Sequence, residues 1–560
     1  MIDYLSEDYI DFILMYNASN RQRIRENPYI VVGHVLEGGY AVIYVPRANL
    51  PEFFQSLGGD LPTFLPIVNG LMGRIDLEVS GILAVHNQPY LSLLGQNVLL
   101  GFVDTGIDYT SDSFKYQDGS TRIVSIWDQT IRGNPQQDYG YGSEYTQDDI
   151  NAALNSEDPY SIVPHKDDAG HGTFIASVAG GSQHDHVMGA APAAEFIVVK
   201  LTGTKQFYRD YFMIPDHQKN AYSASDIMTG INYIVNKAAT LSKPVAICIG
   251  LGSNFTGHHG YPIYERYISN LATHKNVFIA VAAGNESNAK HHTMTNVTDG
   301  GSTNIEIQSG ENEKGFGITI WTFIQDKVSV SVTSPLGETV SRLPAEPALV
   351  KETRLRLENT TIVVEYYYPL STTGSQLVMV RFITPTPGIW TVTVYGDYIL
   401  NGELHSWLPV TGFVDPETVF LSPNPYYTVT SPATAFGVTV CGAYSATIKS
   451  LYVSSAWGPD RFLAQLPDLA APGVNVMGVY PWGHGTMTGT SVSAAITAGA
   501  GALLLQWGCC INNISLNSIN IRTYLIYGCT RRPGFTYPNY QWGYGELHLI
   551  RAFEFMREIP

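Results

Sequence analysis

The tetrapeptide Gly-His-Gly-Thr occurs twice in this chain, at residues 170–173 and 483–486, and the second copy stands seven residues before Ser491 in PWGHGTMTGTSVS. A serine beside a histidine can act as a nucleophile, because the imidazole takes the hydroxyl proton as the oxygen attacks. An aspartate can hold the imidazole in the right tautomer, and an amide donor can stabilise the oxyanion that forms. Four residues have the right types: Asp104 at the end of NVLLGFVD, His171 in DDAGHGTFIASVAGG, Asn285 at the end of NVFIAVAAGN, and Ser491 in GTSVSAAITAGAGALLLQWG. Each also has an ordinary reading. An aspartate or asparagine after a strand is a common turn residue or helix cap, a lone histidine can be structural, and a serine before a helical run can be an N-cap.

Such residues must be held by rigid elements. From Asn97 onward, NVLLGFVD, AEFIVVKL, PVAICIGLG and NVFIAVAAGN are continuous apolar runs, separated by helical patterns such as SASDIMTGINYIVNKAA. Apolar strands alternating with helices predict a parallel sheet covered on both faces, which presents functional groups at the carboxyl ends of its strands. Asp104 and Asn285 fall at such ends, while His171 and Ser491 fall where helices begin. Between about residues 301 and 430 the grammar becomes short alternating strands, as in KVSVSVTSP and GIWTVTVYG, with Pro and Gly turns and no helix. That stretch predicts an antiparallel β-sandwich inserted in the α/β domain. Residues 1 to about 75 predict a small α/β unit: a helix over SEDYIDFILMYN, a hairpin from YIVVGHVL and YAVIYV around Glu37-Gly38-Gly39, and a second helix from Asn49 to Leu57.

Composition narrows the function classes. The 560 residues are 44% hydrophobic and only 14% charged, enough for a large core, and the length implies one enlarged domain or several. A net charge of -17 provides no basic stripe to displace counterions from phosphates and disfavours anionic membrane surfaces. Five cysteines without a Cys-x-x-Cys pair form neither a disulfide framework nor a zinc motif. The acidic N-terminus lacks the basic region of a signal peptide, and no membrane span is expected. These features imply synthesis in the cytoplasm without classical secretion.

Taken together and in this order, FVDTGID, GHGTFIASVAGG, VAAGN and GTSVSAA resemble the subtilisin-like serine proteases over about residues 81–552. The resemblance implies a subtilisin-like parallel sheet with helices on both faces and a serine endopeptidase activity. It assigns Asp104, His171 and Ser491 to the catalytic triad, and Asn285 with the Ser491 backbone N–H to the oxyanion hole. Gly250, Leu251 and Gly252 would pair with an extended substrate, and Ala282, Ala283 and Gly284 would floor the pocket for the residue before the scissile bond. Ala495 and Ile496 depart from the family's usual Pro and His after the nucleophile motif; alanine suits a helix, so no catalytic role is weakened. The related carboxyl peptidases that share this fold replace the histidine by an acid and the asparagine by Asp, so His171 and Asn285 exclude that branch.

The implied domains are a pro-domain at 1–75 that acts as chaperone and inhibitor and is cleaved between about Pro66 and Ser80, a catalytic domain at 76–300 and 431–560, and a jelly-roll at 301–430. That insertion, with RIVSIWDQT, YGSEYTQDDINAAL and the leader DLEVSGI, resembles the Csp-type germination proteases of anaerobic spore formers. In that group the protease activates a cortex-degrading zymogen by limited proteolysis, which implies a protein substrate, a retained pro-domain partner and association with the spore. Two alternatives are a general peptidase and a germinant-sensing pseudoprotease. No cofactor is expected. His184, Asp185 and His186, the pair His258 and His259, and the pair His291 and His292 are metal-ligand candidates by type only, and no Asp-rich loop lets a calcium site be assigned. Of the two Gly-His-Gly-Thr copies, the first opens a helix of small residues and the second sits in a Gly/Thr loop, so His484 is the decoy.

Overall fold

The computed structural model describes residues 8–18, 21–36, 40–57, 75–133, 139–182, 187–347, 349–370 and 373–558. The chain divides into two compact units, residues 1–71 and 72–560.

In the first unit, the strands Tyr9–Met15 and Val31–Leu36 flank Tyr40–Pro46 in an antiparallel sheet, with helices Arg21–Glu26 and Leu50–Leu57. The helix expected over SEDYIDFILMYN is therefore the strand Tyr9–Met15. Ile10 and Phe12, two residues apart, pack in one apolar cluster with Ala41, Ile43 and Val45, and a period of two belongs to a strand. The turn at residues 37–39 and residues 66–74 of the expected cleavage segment lie outside the described residues.

The second unit is built on an eight-stranded sheet. Its order is Leu469–Pro472, Thr439–Tyr444, Val277–Ala282, Val245–Ile249, Leu99–Asp104, Glu195–Lys200, Ile123–Asp128 and Ser143–Thr146; all pairings are parallel except the last. Alternation along each strand feeds two cores. Leu100 and Phe102 join Phe196 and Val198 on the face covered by helices His171–Gly180 and Thr490–Leu505, while Leu99 and Val103 join Ile197 and Val199 beneath Ala224–Thr240. Gly101 permits the latter approach, since a Cβ there would stand 2.6 Å from Ile234 Cγ2.

The chain winds outward from Leu99–Asp104 through Ile123–Asp128 and back to Glu195–Lys200, then crosses to Val245–Ile249 on the other side of Leu99–Asp104. The crevice between Leu99–Asp104 and Val245–Ile249 is thus the switch point, where open α/β sheets place ligands. Asp104 and Gly250 border it.

Two antiparallel sheets of six and five strands form the insertion and share one apolar core that includes Ile318, Val330, Val380 and Trp390. Its first strand is His292–Asn296, paired with Glu403–Trp407, and its last is Val419–Phe420, so the sandwich begins ahead of residue 301. Among the described residues one helix, Thr490–Ile511, is long and apolar enough to cross a membrane by length and composition, and most of its surface is buried inside the fold. Its apolarity comes from packing against the sheet. All five cysteines are unpaired.

Candidate active site

Asp104 is the last residue of its strand and is fully buried. Its Oδ1 accepts from the Thr105 backbone N–H at 2.8 Å and lies 2.8 Å from His171 Nδ1. His171 opens the helix His171–Gly180, entered through Gly170 at φ 76, a left-handed conformation that glycine adopts without strain. Gly172 has to be glycine for space, because a Cβ there would lie 2.2 Å from the Gly106 carbonyl oxygen.

A buried network that the sequence reading did not pick out holds this corner. Asp167 Oδ1 accepts from the Thr105 hydroxyl at 2.7 Å and from the Gly170 N–H at 2.8 Å. Its Oδ2 accepts from the N–H and hydroxyl of Thr173 at 2.8 and 2.6 Å. Thr105 Oγ1 in turn accepts from the Gly172 N–H at 2.9 Å. Asp104 and His171 are thus tied through Thr105 and Asp167.

Burial alone would lower the His171 pKa, but the charge and hydrogen bond of Asp104, with a further contribution from Asp167, hold it above the ordinary imidazole value. The imidazolium that forms when His171 takes a proton is therefore stabilised in place.

Ser491 is the second residue of Thr490–Leu505, at the positive end of a long helix dipole. It is 9% exposed, and its hydroxyl donates to the Gly250 carbonyl at 3.0 Å. A Cβ on Gly250 would lie 3.1 Å from His171 Cε1 and 3.4 Å from Ser491 Oγ. The imidazole and the hydroxyl thus converge on one glycine.

Asn285 follows the strand Val277–Ala282 and is anchored by its carbonyl end. Oδ1 accepts from the Thr490 N–H at 3.0 Å and from the Thr490 hydroxyl at 3.1 Å, and that hydroxyl oxygen accepts from the Gly284 N–H at 3.1 Å. The amide NH2 is left to donate beside the entry to Ser491.

A cleft of 660 Å³ opens beside these groups, lined by Gly250, Leu251, Gly252, Ala282 and Gly284. Ala283 is buried and does not reach it; its N–H is taken by the Cys441 carbonyl. Alternation along the chain turns that side chain into the core, which corrects the expectation that all three small residues floor the pocket. A second cavity of 730 Å³, with Phe212, Ile227 and Phe255, shares Gly250, Leu251 and Gly252 as lining. A chain added as a strand along these residues would send alternate side chains to the two cavities. The sandwich loop between the strands Glu403–Trp407 and Val419–Phe420 reaches both: Thr411 donates its N–H to Glu286 Oε1 at 3.1 Å, and Glu286 Oε2 lies 2.9 Å from His291 Nδ1.

His484 lies in the strand Gly483–Met487, paired with Val476–Tyr480, and is exposed. This hairpin corrects the loop expected there; its partner strand supplies the backbone hydrogen bonds. Of the histidine pairs, His258 stacks on Trp407, His292 bonds His405, and His291 bonds Glu286. Residues 184–186 lie outside the described residues, and among the described residues no group of three His, Cys, Asp or Glu could hold a metal ion.

The Peptidase S8 model, described as the subtilase family, matches residues 95–334 and 415–545. Among solved structures, the chain is similar to the Clostridium perfringens CspB protease, with 32% identity, a TM-score of 0.77, and coverage of 86% of this chain and 97% of that chain. Sphericase matches at 15% identity and TM-score 0.42, covering 84% of this chain and 97% of that one. The epidermin leader peptide processing serine protease of Staphylococcus aureus matches at 12% and 0.40, covering 99% and 100%. A comparison with curated proteins returned no match. With the family model spanning well over half of the chain and falling on the strands and helices that build this crevice, the protein belongs to the subtilase family and is a serine protease.

Proposed function

We propose that the chain is a serine endopeptidase in which Ser491 is the nucleophile, His171 its general base and Asp104 the residue that orients His171. The observation that carries this reading is the convergence of the His171 imidazole and the Ser491 hydroxyl on Gly250, with Asp104 on the far nitrogen of the ring. His171 takes the Ser491 proton as the oxygen attacks the scissile carbonyl, then delivers it to the leaving amine. The oxyanion is met by Asn285 Nδ2 and the Ser491 N–H at the helix start. A water deprotonated by His171 releases the acyl half.

The same reading takes the unit at residues 1–71 as a pro-domain removed by the enzyme itself. It takes the physiological reaction as limited proteolysis of a zymogen, a cortex hydrolase cut during spore germination. Support for this finer role comes from the motifs shared with Csp-type germination proteases and from the similarity to CspB along most of both chains.

N-terminal sequencing of purified wild-type and Ser491→Ala protein tests the reading. A new N-terminus in the wild type and an intact chain in the variant are expected. Identical intact chains, together with no labelling of Ser491 by a fluorophosphonate, would overturn it.

A further inference from the structure

The hairpin before the nucleophile carries a large apolar side chain that the reaction as described does not use. Trp482, between the paired strands Val476–Tyr480 and Gly483–Met487, is 66% exposed. It is nevertheless rigidly placed. Its ring stacks on Tyr480 with centroids 5.1 Å apart and planes 10° apart, and Tyr480 rests on Phe174 at 4.7 Å. The other edge of the indole covers Gly170, where a Cβ would lie 2.5 Å from Trp482 Cη2. The hairpin is fixed to the helix that His171 opens: Val479 donates its N–H to Ser177 Oγ at 2.9 Å, and Gly478 abuts Phe174. An indole held against Tyr480 and Gly170 and still two-thirds exposed presents apolar area at a cost in solubility that no packing among the described residues explains.

Its position relative to the substrate path gives it a role. The half of the substrate before the scissile bond pairs along Gly250, Leu251 and Gly252. The half after it must pass the imidazole that protonates its amine. Gly170, directly before His171, is the residue Trp482 covers, so the leaving half emerges beside the indole.

We propose that Trp482, backed by Tyr480, seats an apolar side chain among the first three residues after the scissile bond, making it a specificity-determining residue of the leaving side. This rests on the serine endopeptidase reading. An aromatic plate suits a Phe, Tyr, Leu or Met side chain and gains nothing from Gly or Asp.

Cleavage profiling with a proteome-derived peptide library identifies the preferred acyl half. That half is then made as a p-nitroanilide, which has no peptide leaving half, and as internally quenched peptides with Phe, Leu, Gly or Asp at each of the three following positions. At one of these positions the wild type should favour Phe or Leu over Gly by about 10- to 100-fold in kcat/KM, the range for one apolar side chain in a pocket. Trp482→Ala should abolish that preference with anilide hydrolysis changed less than about twofold, and Trp482→Phe should restore most of it. An unchanged preference in Trp482→Ala, or an equal loss on the anilide, overturns the inference while leaving the endopeptidase reading intact. A protein that neither hydrolyses any peptide nor takes a fluorophosphonate overturns both.

Discussion

Thr490 grips Asn285 by the carbonyl end of its amide: the backbone N–H and the hydroxyl of Thr490 both donate to Asn285 Oδ1, at 3.0 and 3.1 Å. Two donors on one oxygen settle which end of the amide is which, and they leave the NH2 on the side of Gly489. The amide proposed as the oxyanion donor is thus oriented by the residue adjacent to Ser491.

Replacing Asn285 by Leu should lower kcat about 100- to 1,000-fold with little change in KM, as expected for a donor used only in the transition state. Thr490→Val keeps the backbone anchor and loses the hydroxyl one, so kcat should fall roughly tenfold, the equivalent of about 1.4 kcal/mol. Steady-state kinetics on one peptide substrate decides both. A KM effect with kcat preserved would contradict the assignment.

The raised pKa of His171 sets the acid limb of activity. A general base works neutral, so kcat/KM should rise with pH through an apparent pKa above the ordinary imidazole value of 6.5. In stability terms, the charged His171 paired with Asp104 contributes fully below 6.5 and its contribution is lost as the pH climbs through the folded-state value. Imidazole proton resonances followed by NMR in Ser491→Ala, with and without Asp104→Asn, report the titration directly. The second substitution should move it downward, and an unmoved titration would separate Asp104 from the shift.

Asp167 accepts four hydrogen bonds in a buried site. Asp167→Ala leaves those donors unpaired and should destabilise the fold by about 2 to 4 kcal/mol. The effect is read as a lowered thermal unfolding midpoint in a Ser491→Ala background, which prevents self-digestion. A midpoint within error of the parent would show that the network is dispensable.

Gly172→Ala drives a methyl into the Gly106 carbonyl. The start of the helix must shift away from Asp104, so activity should drop by at least about 100-fold, the scale of a misplacement near 1 Å. Retained activity would mean that this corner can relax.

The two Gly-His-Gly-Thr copies can be separated by substitution. His171→Ala should abolish pro-domain processing, whereas His484→Ala, on an exposed hairpin strand, should leave it intact. Processing lost in the second variant and kept in the first would reverse the assignment.

The sequence by itself determined the elements and the chemistry they carry. Continuous apolar runs specify buried parallel strands because both faces of such a strand are covered, and glycines on either side of His171 specify close approach because nothing larger fits. It misread Tyr9–Met15 as a helix, since a short apolar run fits either period until its pairing partner is known. Tertiary structure alone decided the rest. Flanking residues already set the two identical tetrapeptides apart, but that the second pairs in a hairpin, not a loop, was decided by its partner strand. Asp167, Thr105 and Thr490 became visible as positioning residues only in three dimensions, because a hydrogen-bond acceptor is defined by which distant donors the fold brings within about 3 Å of it.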